Sequence, residues 1–402
     1  MKLLVQKFGG TSVSTPERRQ QAAQKILQAV KDGYSPVVVV SAPGRIGEPY
    51  ATDTLIQTAK QECPAIEKRE LDMIMSCGEI IAGVIVTGTL KNSGLDAVLL
   101  TGQQAGIITT CRHGNAQILH IRPDAILKHA AEGKVVVVAG FQGISEDGDI
   151  TTLGRGGSDT TAAAIGAAIQ AAAVDIYTDV NGMMTADPRI VSDARTIPAI
   201  SYEAAYQMAV QGAKVIHPRA VEISMRYNIP LNVKCTFSEE AGTAISNDSA
   251  GMIERPKNFA TIGIAQQKGY GVLKLHNGDG FNHANTQAVF KELAATGGDK
   301  DFMGVTENDI EIVAEEPVIE AIGEICSTEG IEIQEKRTGC VKISLIGRYA
   351  SDDAGLFSTF VEMFYRHNIK VLCTFTGTSS ISGLVETEAM EAAVQAIHQD
   401  LF

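Results

Sequence analysis

The chain alternates short continuous apolar runs with segments of helical period. Leu3-Leu4-Val5 leads into Gln6-Lys7 and a Gly-rich turn, Ala22, Ile26 and Val30 then share one face up to Asp32-Gly33, and Val37 to Val40 is an unbroken β-branched run. Apolar residues four apart make a helix stripe, whereas four β-branched residues in a row fit a strand buried on both faces. The pattern recurs: Pro123 opens a helical stretch that stops at Gly133, Val135 to Val138 follows, and Ser158 to Ala173 reads as a helix leading into Asp175-Ile176-Tyr177-Thr178. It predicts an α/β fold, a three-layer αβα sandwich with a mostly parallel central sheet. Ligands of such sheets bind beyond the carboxyl ends of the strands.

After about residue 236 the texture turns polar through Ser238 to Thr243 and Asn247-Asp248-Ser249, which sets the end of a first domain, 1–250. The rest reads as two related halves. Val272 to Leu275 precedes a helix around Thr286 to Ala295, strands at Phe302 to Val305 and Ile310 to Val313, and a helix near Val318 to Cys326. Val341 to Leu345 precedes a helix around Phe357 to His367, strands at Val371 to Phe375 and Ser380 to Val385, and a helix from Ala389. Two ferredoxin-like βαββαβ units, 266–335 and 336–402, are the expectation.

Composition narrows the function classes. Residues 250–402 hold 22 acidic and 12 basic residues, so most of the net charge of −13 lies there and the first domain is nearly neutral. An acidic chain without a basic stripe is a poor nucleic-acid binder, and a nearly neutral domain admits anionic substrates. The seven cysteines are scattered and never form a CxxC pair, which speaks against a disulfide framework or a zinc site. Apolar runs such as Val135 to Gly140 are too short to cross a bilayer and no export signal opens the chain, so the reading is a cytoplasmic protein without a membrane.

Phosphoryl transfer between anions requires positive charge, backbone N–H donors and a divalent metal rather than a covalent nucleophile. Lys7-Phe8-Gly9-Gly10-Thr11-Ser12 offers a lysine, two glycines that let main-chain N–H groups approach a phosphate, and two hydroxyls. It is not a P-loop, and alone it is equally an ordinary strand-to-helix corner. Gly154-Arg155-Gly156-Gly157-Ser158-Asp159 precedes an alanine-rich helix; Ser158 or Asp159 can cap it, and Arg155 can grip a carboxylate bidentately. Thr178-Asp179 follows a strand, with Asp187-Pro188-Arg189 close behind: a nucleotide loop, or equally an Asx-turn with a surface ion pair. Lys214 is ambiguous in the same way.

Taken together and in order, these segments resemble the aspartokinases of the amino-acid kinase family. Ser41-Ala42, Thr52-Asp53, Ser76-Cys77-Gly78-Glu79, Arg112 to Ala116, Gly140 to Gly143 and Tyr177 to Val180 also fall where that family has its motifs. The resemblance implies that Lys7 and Lys214 neutralise the γ-phosphate of ATP, that Gly9 and Gly10 donate N–H groups to it, and that Asp159 holds both ammonium groups. Arg155 with Ser158 would take the α-carboxylate of L-aspartate, Glu79 its α-ammonium, and Ser41 and Thr52 would line the side-chain end. Thr178, Asp179, Met184, Asp187 and Arg189 would form the nucleotide loop. Mg²⁺ would be held mainly by the phosphates, with no protein metal site.

The implied reaction is ATP plus L-aspartate to ADP and 4-phospho-L-aspartate, at the head of lysine, threonine and methionine synthesis. Other readings are a kinase for glutamate, acetylglutamate, a carbamate or UMP, and a silent amino-acid sensor; Arg155 beside Glu79 favours a free α-amino acid. Met184 stands where many relatives have a tyrosine near the adenine. The loop Pro43 to Tyr50 resembles that of Bacillus-type, diaminopimelate-responsive members. The C-terminal halves resemble paired ACT modules, with residues 259–265 adding a strand to the second. They imply a homodimer or higher homo-oligomer and an amino-acid effector such as lysine, diaminopimelate or threonine. Their turns, 277–281 and 352–356, lack the usual proline.

Overall fold

The structure, a computed structural model, describes residues 1–247, 261–277, 283–296, 300–347, 354–377 and 379–402. The expected domain end near residue 250, residues 259–260, and most of the two turns at 277–281 and 352–356 lie outside the described residues. The chain divides into two compact units. One comprises Met1–Met183, Thr196–Ala209 and Lys214–Ile253; the other comprises Met184–Arg195, Val210–Ala213 and Glu254–Phe402.

In the first unit, among the described residues, eight strands form one sheet in the order Ala199–Ile200, Thr243–Ile245, Leu231–Cys235, Val174–Thr178, Lys2–Phe8, Tyr34–Val40, Val135–Ala139, Ala97–Leu100. Every neighbouring pair is parallel except Leu231–Cys235 with Thr243–Ile245. Phe8 lies opposite both Val40 and Tyr177, Val40 opposite Ala139, and Cys235 opposite Thr178. The carboxyl ends therefore line up, and Gly9, Ser41, Gly140 and Asp179 all leave from one edge. Val37 to Val40 and Val135 to Val138 are buried throughout, as continuous β-branched runs covered on both faces should be.

The helix from Ser158 is shorter than its composition suggests. It spans Gly157–Ala168, and Gln170 turns the chain at a φ of 50° before strand Val174–Thr178. A second, four-stranded sheet, Ile118–Ile121, Ile107–Thr109, Gln142–Ser145 and Ile150–Thr152, was not anticipated, because strands of three or four residues carry too little periodicity to read. The 25-residue helix Lys68–Asn92 is long and apolar enough to cross a membrane on length and composition, unlike the short runs singled out above. Here one face carries Met75, Ala82, Val86 and Leu90 into the core.

In the second unit, among the described residues, six strands form an antiparallel sheet in the order Lys300–Val305, Asp309–Glu315, Thr261–His276, Glu332–Gly347, Ser380–Glu386, Val371–Gly377. The two central strands are continuous over 16 residues each. Their first and last portions serve different halves: Thr261 to Lys268 pairs with Val341 to Gly347, and Tyr270 to His276 with Glu332 to Cys340 and with Asp309 to Glu315. Gly269 and Gly339, both at positive φ, mark the bulge between the halves, where a side chain would be strained. Helices His283–Thr296 and Glu316–Glu329 cover one half around Ile310, Ile312 and Ile322; Ala354–Arg366 and Met390–Leu401 cover the other around Ile343, Phe360 and Val394.

The segment Met184–Arg195 belongs to this second unit. Thr185 Oγ1 is 3.0 Å from His398 Nε2, Gln395 donates to the Ile190 carbonyl at 2.9 Å, and Ala186 and Val191 join the core of the second half.

Candidate active site

Lys7, on the strand next to the turn, places its ammonium 2.7 Å from Asp159 Oδ1, both side chains 12% exposed. Asp159 sits in the first turn of helix Gly157–Ala168, whose N-cap Gly156 is left-handed. Only glycine fits there, since a Cβ would come within 2.1 Å of the His217 ring. His217 caps helix Pro218–Tyr227, its Nδ1 accepting from Arg219 N–H at 3.3 Å, and its own N–H donates to Asp159 Oδ2 at 3.2 Å. Burial pushes the imidazole pKa down, consistent with a neutral ring whose Nδ1 is an acceptor.

The Gly-rich turn is locked by three further contacts. Gly9 N–H donates to the Tyr177 carbonyl at 3.3 Å, so it is engaged within the fold. The short 3₁₀ turn Gly10–Ser12 closes through Ser12 N–H to the Gly9 carbonyl and Val13 N–H to the Gly10 carbonyl, which leaves the N–H groups of Gly10 and Thr11 as its unclaimed first-turn donors. A Cβ on Gly10 would meet the Ala42 carbonyl at 2.4 Å, and one on Gly9 would lie 3.5 Å from Lys7 Nζ. Lys7 Nζ therefore lies beside the turn while it pairs with Asp159.

Ala42 links this turn to Glu79. Its N–H donates to Glu79 Oε1 at 2.9 Å, while Glu79 Oε2 has no hydrogen-bond partner among the described residues although the residue is only 2% exposed. Burial pushes the Glu79 pKa up to about 8, against the lowering effect of the Ala42 N–H. Gly78 makes this approach possible, since a Cβ there would come to 2.8 Å of Ala42 Cβ and 2.9 Å of the Tyr50 carbonyl. Ser41 N–H donates to the Phe8 carbonyl at 3.2 Å, and Thr52 opens helix Thr52–Glu62, both half-buried.

Arg155 is exposed between Gly154 and Gly156, both at positive φ, and no hydrogen bond or ion pair holds its guanidinium among the described residues. Ser158 is buried beneath it, facing Gly140. Lys214 is exposed in a turn and is not brought to Asp159, whose second oxygen takes the His217 N–H instead. Asp179 is paired with Arg45 of the Pro43 to Tyr50 loop at 3.2 Å. Thr178 donates to Asp179 at 3.3 Å. Asp187 and Arg189 pair with each other at 2.6 Å within the second unit, where Asp187 also accepts from Gln266 at 3.1 Å; Met184 belongs to that unit too. The arginine beside it lowers the Asp187 pKa.

Reasoning from sequence missed Asp72 and Arg219, gave His217 no role, and placed Ala42 in a family motif without giving it one. Only His217-Pro218 left a local signal, a residue that can cap followed by Pro at the first helical position.

A lysine–aspartate pair beside a Gly-rich turn, at the carboxyl edge of a parallel sheet, defines a phosphoryl-transfer site. The chain belongs to the amino acid kinase family, whose model matches residues 2–235. It is 40% identical over 400 residues to aspartokinase 1 of Bacillus subtilis, covering 99% of this chain and 98% of that protein. It is 36% identical over 405 residues to the aspartokinase of Geobacillus stearothermophilus, covering 99% and 97%. Within the family it stands among the aspartokinases. The fold also matches the crystal structure of E. coli aspartokinase III in complex with aspartate and ADP, with a TM-score of 0.81 at 24% identity over the whole of both chains.

Proposed function

We propose that this kinase transfers the γ-phosphoryl group of ATP to the side-chain carboxylate of L-aspartate, giving ADP and 4-phospho-L-aspartate. The observation that carries the choice of a free α-amino acid as acceptor is the buried Glu79 oxygen near the Gly-rich turn, unpartnered among the described residues; aspartate itself follows from the similarity to aspartokinases. A buried carboxylate lacking a donor is costly, and a substrate ammonium supplies both the charge and the hydrogen bond. Arg155 and Ser158 receive the α-carboxylate, and Ser41 and Thr52 line the side-chain end.

The reaction needs no general base, because the nucleophile is already a carboxylate. Its oxygen forms the new bond to the γ-phosphorus as the bridging P–O bond breaks, and the electron pair leaves on the β-phosphate of ADP. Lys7, the Gly10 N–H and Lys214 balance the charge of the transferring group, and Asp159, itself fixed by the His217 backbone N–H, holds Lys7 in place. Thr178 and Asp179 contact the nucleotide from the sheet edge. Mg²⁺ suits this design as an ion carried by the nucleotide phosphates.

The domain limits 1–250, 266–335 and 336–402 fit a kinase domain followed by two ACT modules. We assign these modules pairing into a homo-oligomer and binding of an amino-acid effector. E. coli aspartokinase III, similar in fold, has also been solved in complex with lysine and aspartate.

The decisive experiment is ADP release and hydroxylamine-trappable acyl phosphate with aspartate, glutamate and acetylglutamate in parallel. Turnover with aspartate alone is expected; its absence removes the assignment. Arg155→Ala is expected to raise the aspartate KM at least ~10-fold with little change in the ATP KM, the loss of a charge-assisted bidentate contact. An unaltered aspartate KM discredits the α-carboxylate role.

A further inference from the structure

The helix Lys68–Asn92 carries a second buried carboxylate. Asp72 precedes Glu79 by seven residues, so it lies on the same helix face about 10 Å along the axis. It is 0% exposed, and a carboxylate in that setting persists only if its lone pairs are filled. Oδ2 accepts from Thr152 N–H at 3.1 Å and Gly114 N–H at 3.0 Å, and lies 2.9 Å from His113 Nδ1. Oδ1 accepts from Gly114 N–H at 3.0 Å and from Thr152 Oγ1 at 2.5 Å.

The two loops clipped in this way meet directly before Arg155. Ala116 N–H donates to the Thr152 carbonyl at 2.9 Å, and Gly154 lies so close to Asn115 that a Cβ would come to 3.1 Å of its Oδ1. Arg219 closes the junction from another helix, donating to the Leu153 carbonyl at 2.7 Å and the Ala116 carbonyl at 3.2 Å.

From this geometry we infer that Asp72 is a positioning residue for the acceptor amino acid, setting the Arg155 loop at a fixed span from Glu79. One rigid helix gauges the distance between the group that takes the α-carboxylate and the group that takes the α-ammonium. The inference rests on the roles given above to Arg155 and Glu79. Asp72 touches no reacting atom, so its loss acts on aspartate binding and leaves nucleotide binding alone.

Asp72→Asn preserves size but turns an amide NH₂ toward N–H donors. It is expected to raise the aspartate KM at least ~10-fold while the ATP KM stays within about twofold. Arg155→Ala added to it should raise the aspartate KM less than Arg155→Ala does alone, because the loop is already displaced. Thr152→Val, which deletes only the hydroxyl donor, should give a smaller rise of the same kind, and it decides the matter if Asp72→Asn does not fold. An unchanged aspartate KM, a parallel rise in both KM values, or additive effects of Asp72→Asn and Arg155→Ala overturns the proposal. If Arg155→Ala alone leaves the aspartate KM unaltered, the α-carboxylate reading itself falls, and the Asp72 role with it.

Discussion

Lys7→Ala is expected to lower kcat by about 10²–10³-fold, the loss of one preorganised donor to transition-state charge. Lys7 is the cation that the fold brings to the phosphate turn, held by Asp159 at 2.7 Å and in reach of Gly9. Lys214 does not substitute for it, being exposed in a turn and unattached to Asp159. Removing Lys7 also leaves Asp159 mostly buried with one N–H partner, and breaking such a pair costs on the order of 3–5 kcal/mol of stability. The measurement therefore pairs saturating-substrate turnover with a melting temperature, and it includes Lys7→Arg, which keeps the charge. A folded Lys7→Ala variant with unchanged kcat removes Lys7 from the reaction.

What the sequence makes legible follows physical range. Val37 to Val40 and Val135 to Val138 announce buried parallel strands because each run reports its own surroundings. The end of the helix at Ala168 was hidden by Ala171 to Ala173, good helix formers that the chain nevertheless turns away from at Gln170. The two 16-residue strands read as shorter pieces because their halves face different cores and join at Gly269 and Gly339, where no periodic signal survives.

The site divides along the same line. Lys7 and Asp159 are types and contexts that suggest phosphate chemistry, and the structure joins them. Glu79 looks from sequence like a carboxylate on the wet side of a helix, assignable only through the resemblance to aspartokinases, and Asp72 gives no sequence signal. Their burial comes from afar: Ala42 is 37 residues from Glu79, and Gly114 and Thr152 are 42 and 80 residues from Asp72. Gly78 is the local trace of that packing, since its missing side chain admits the loop that closes over Glu79.

Glu79→Gln is expected to raise the aspartate KM about 10–100-fold, the loss of one charge-assisted contact to the α-ammonium. Its pH dependence tests the burial argument more sharply. With the Glu79 pKa pushed up to about 8, the free enzyme near neutral pH holds mostly the protonated carboxyl, whereas the carboxylate is the form that pairs with an ammonium. The aspartate kcat/KM should therefore rise through pH 8 and level off only above about pH 9, and Glu79→Gln should lack that limb. Stability moves the opposite way. A carboxyl whose folded pKa lies above its unfolded value of 4.5 binds its proton more tightly when folded, so stability falls as pH rises from about 4.5 to about 8. The full difference corresponds to roughly 5 kcal/mol as an upper figure. Glu79→Gln titrates nothing at this position, so its melting temperature should gain on the wild type between pH 5 and pH 8.5, and saturating aspartate should reverse the gain by supplying the wild type with its missing partner. A gap independent of pH, together with a kcat/KM limb that survives in Glu79→Gln, would mean that Glu79 is already ionised without substrate, and an aspartate KM unchanged by Glu79→Gln would mean that another group holds the ammonium.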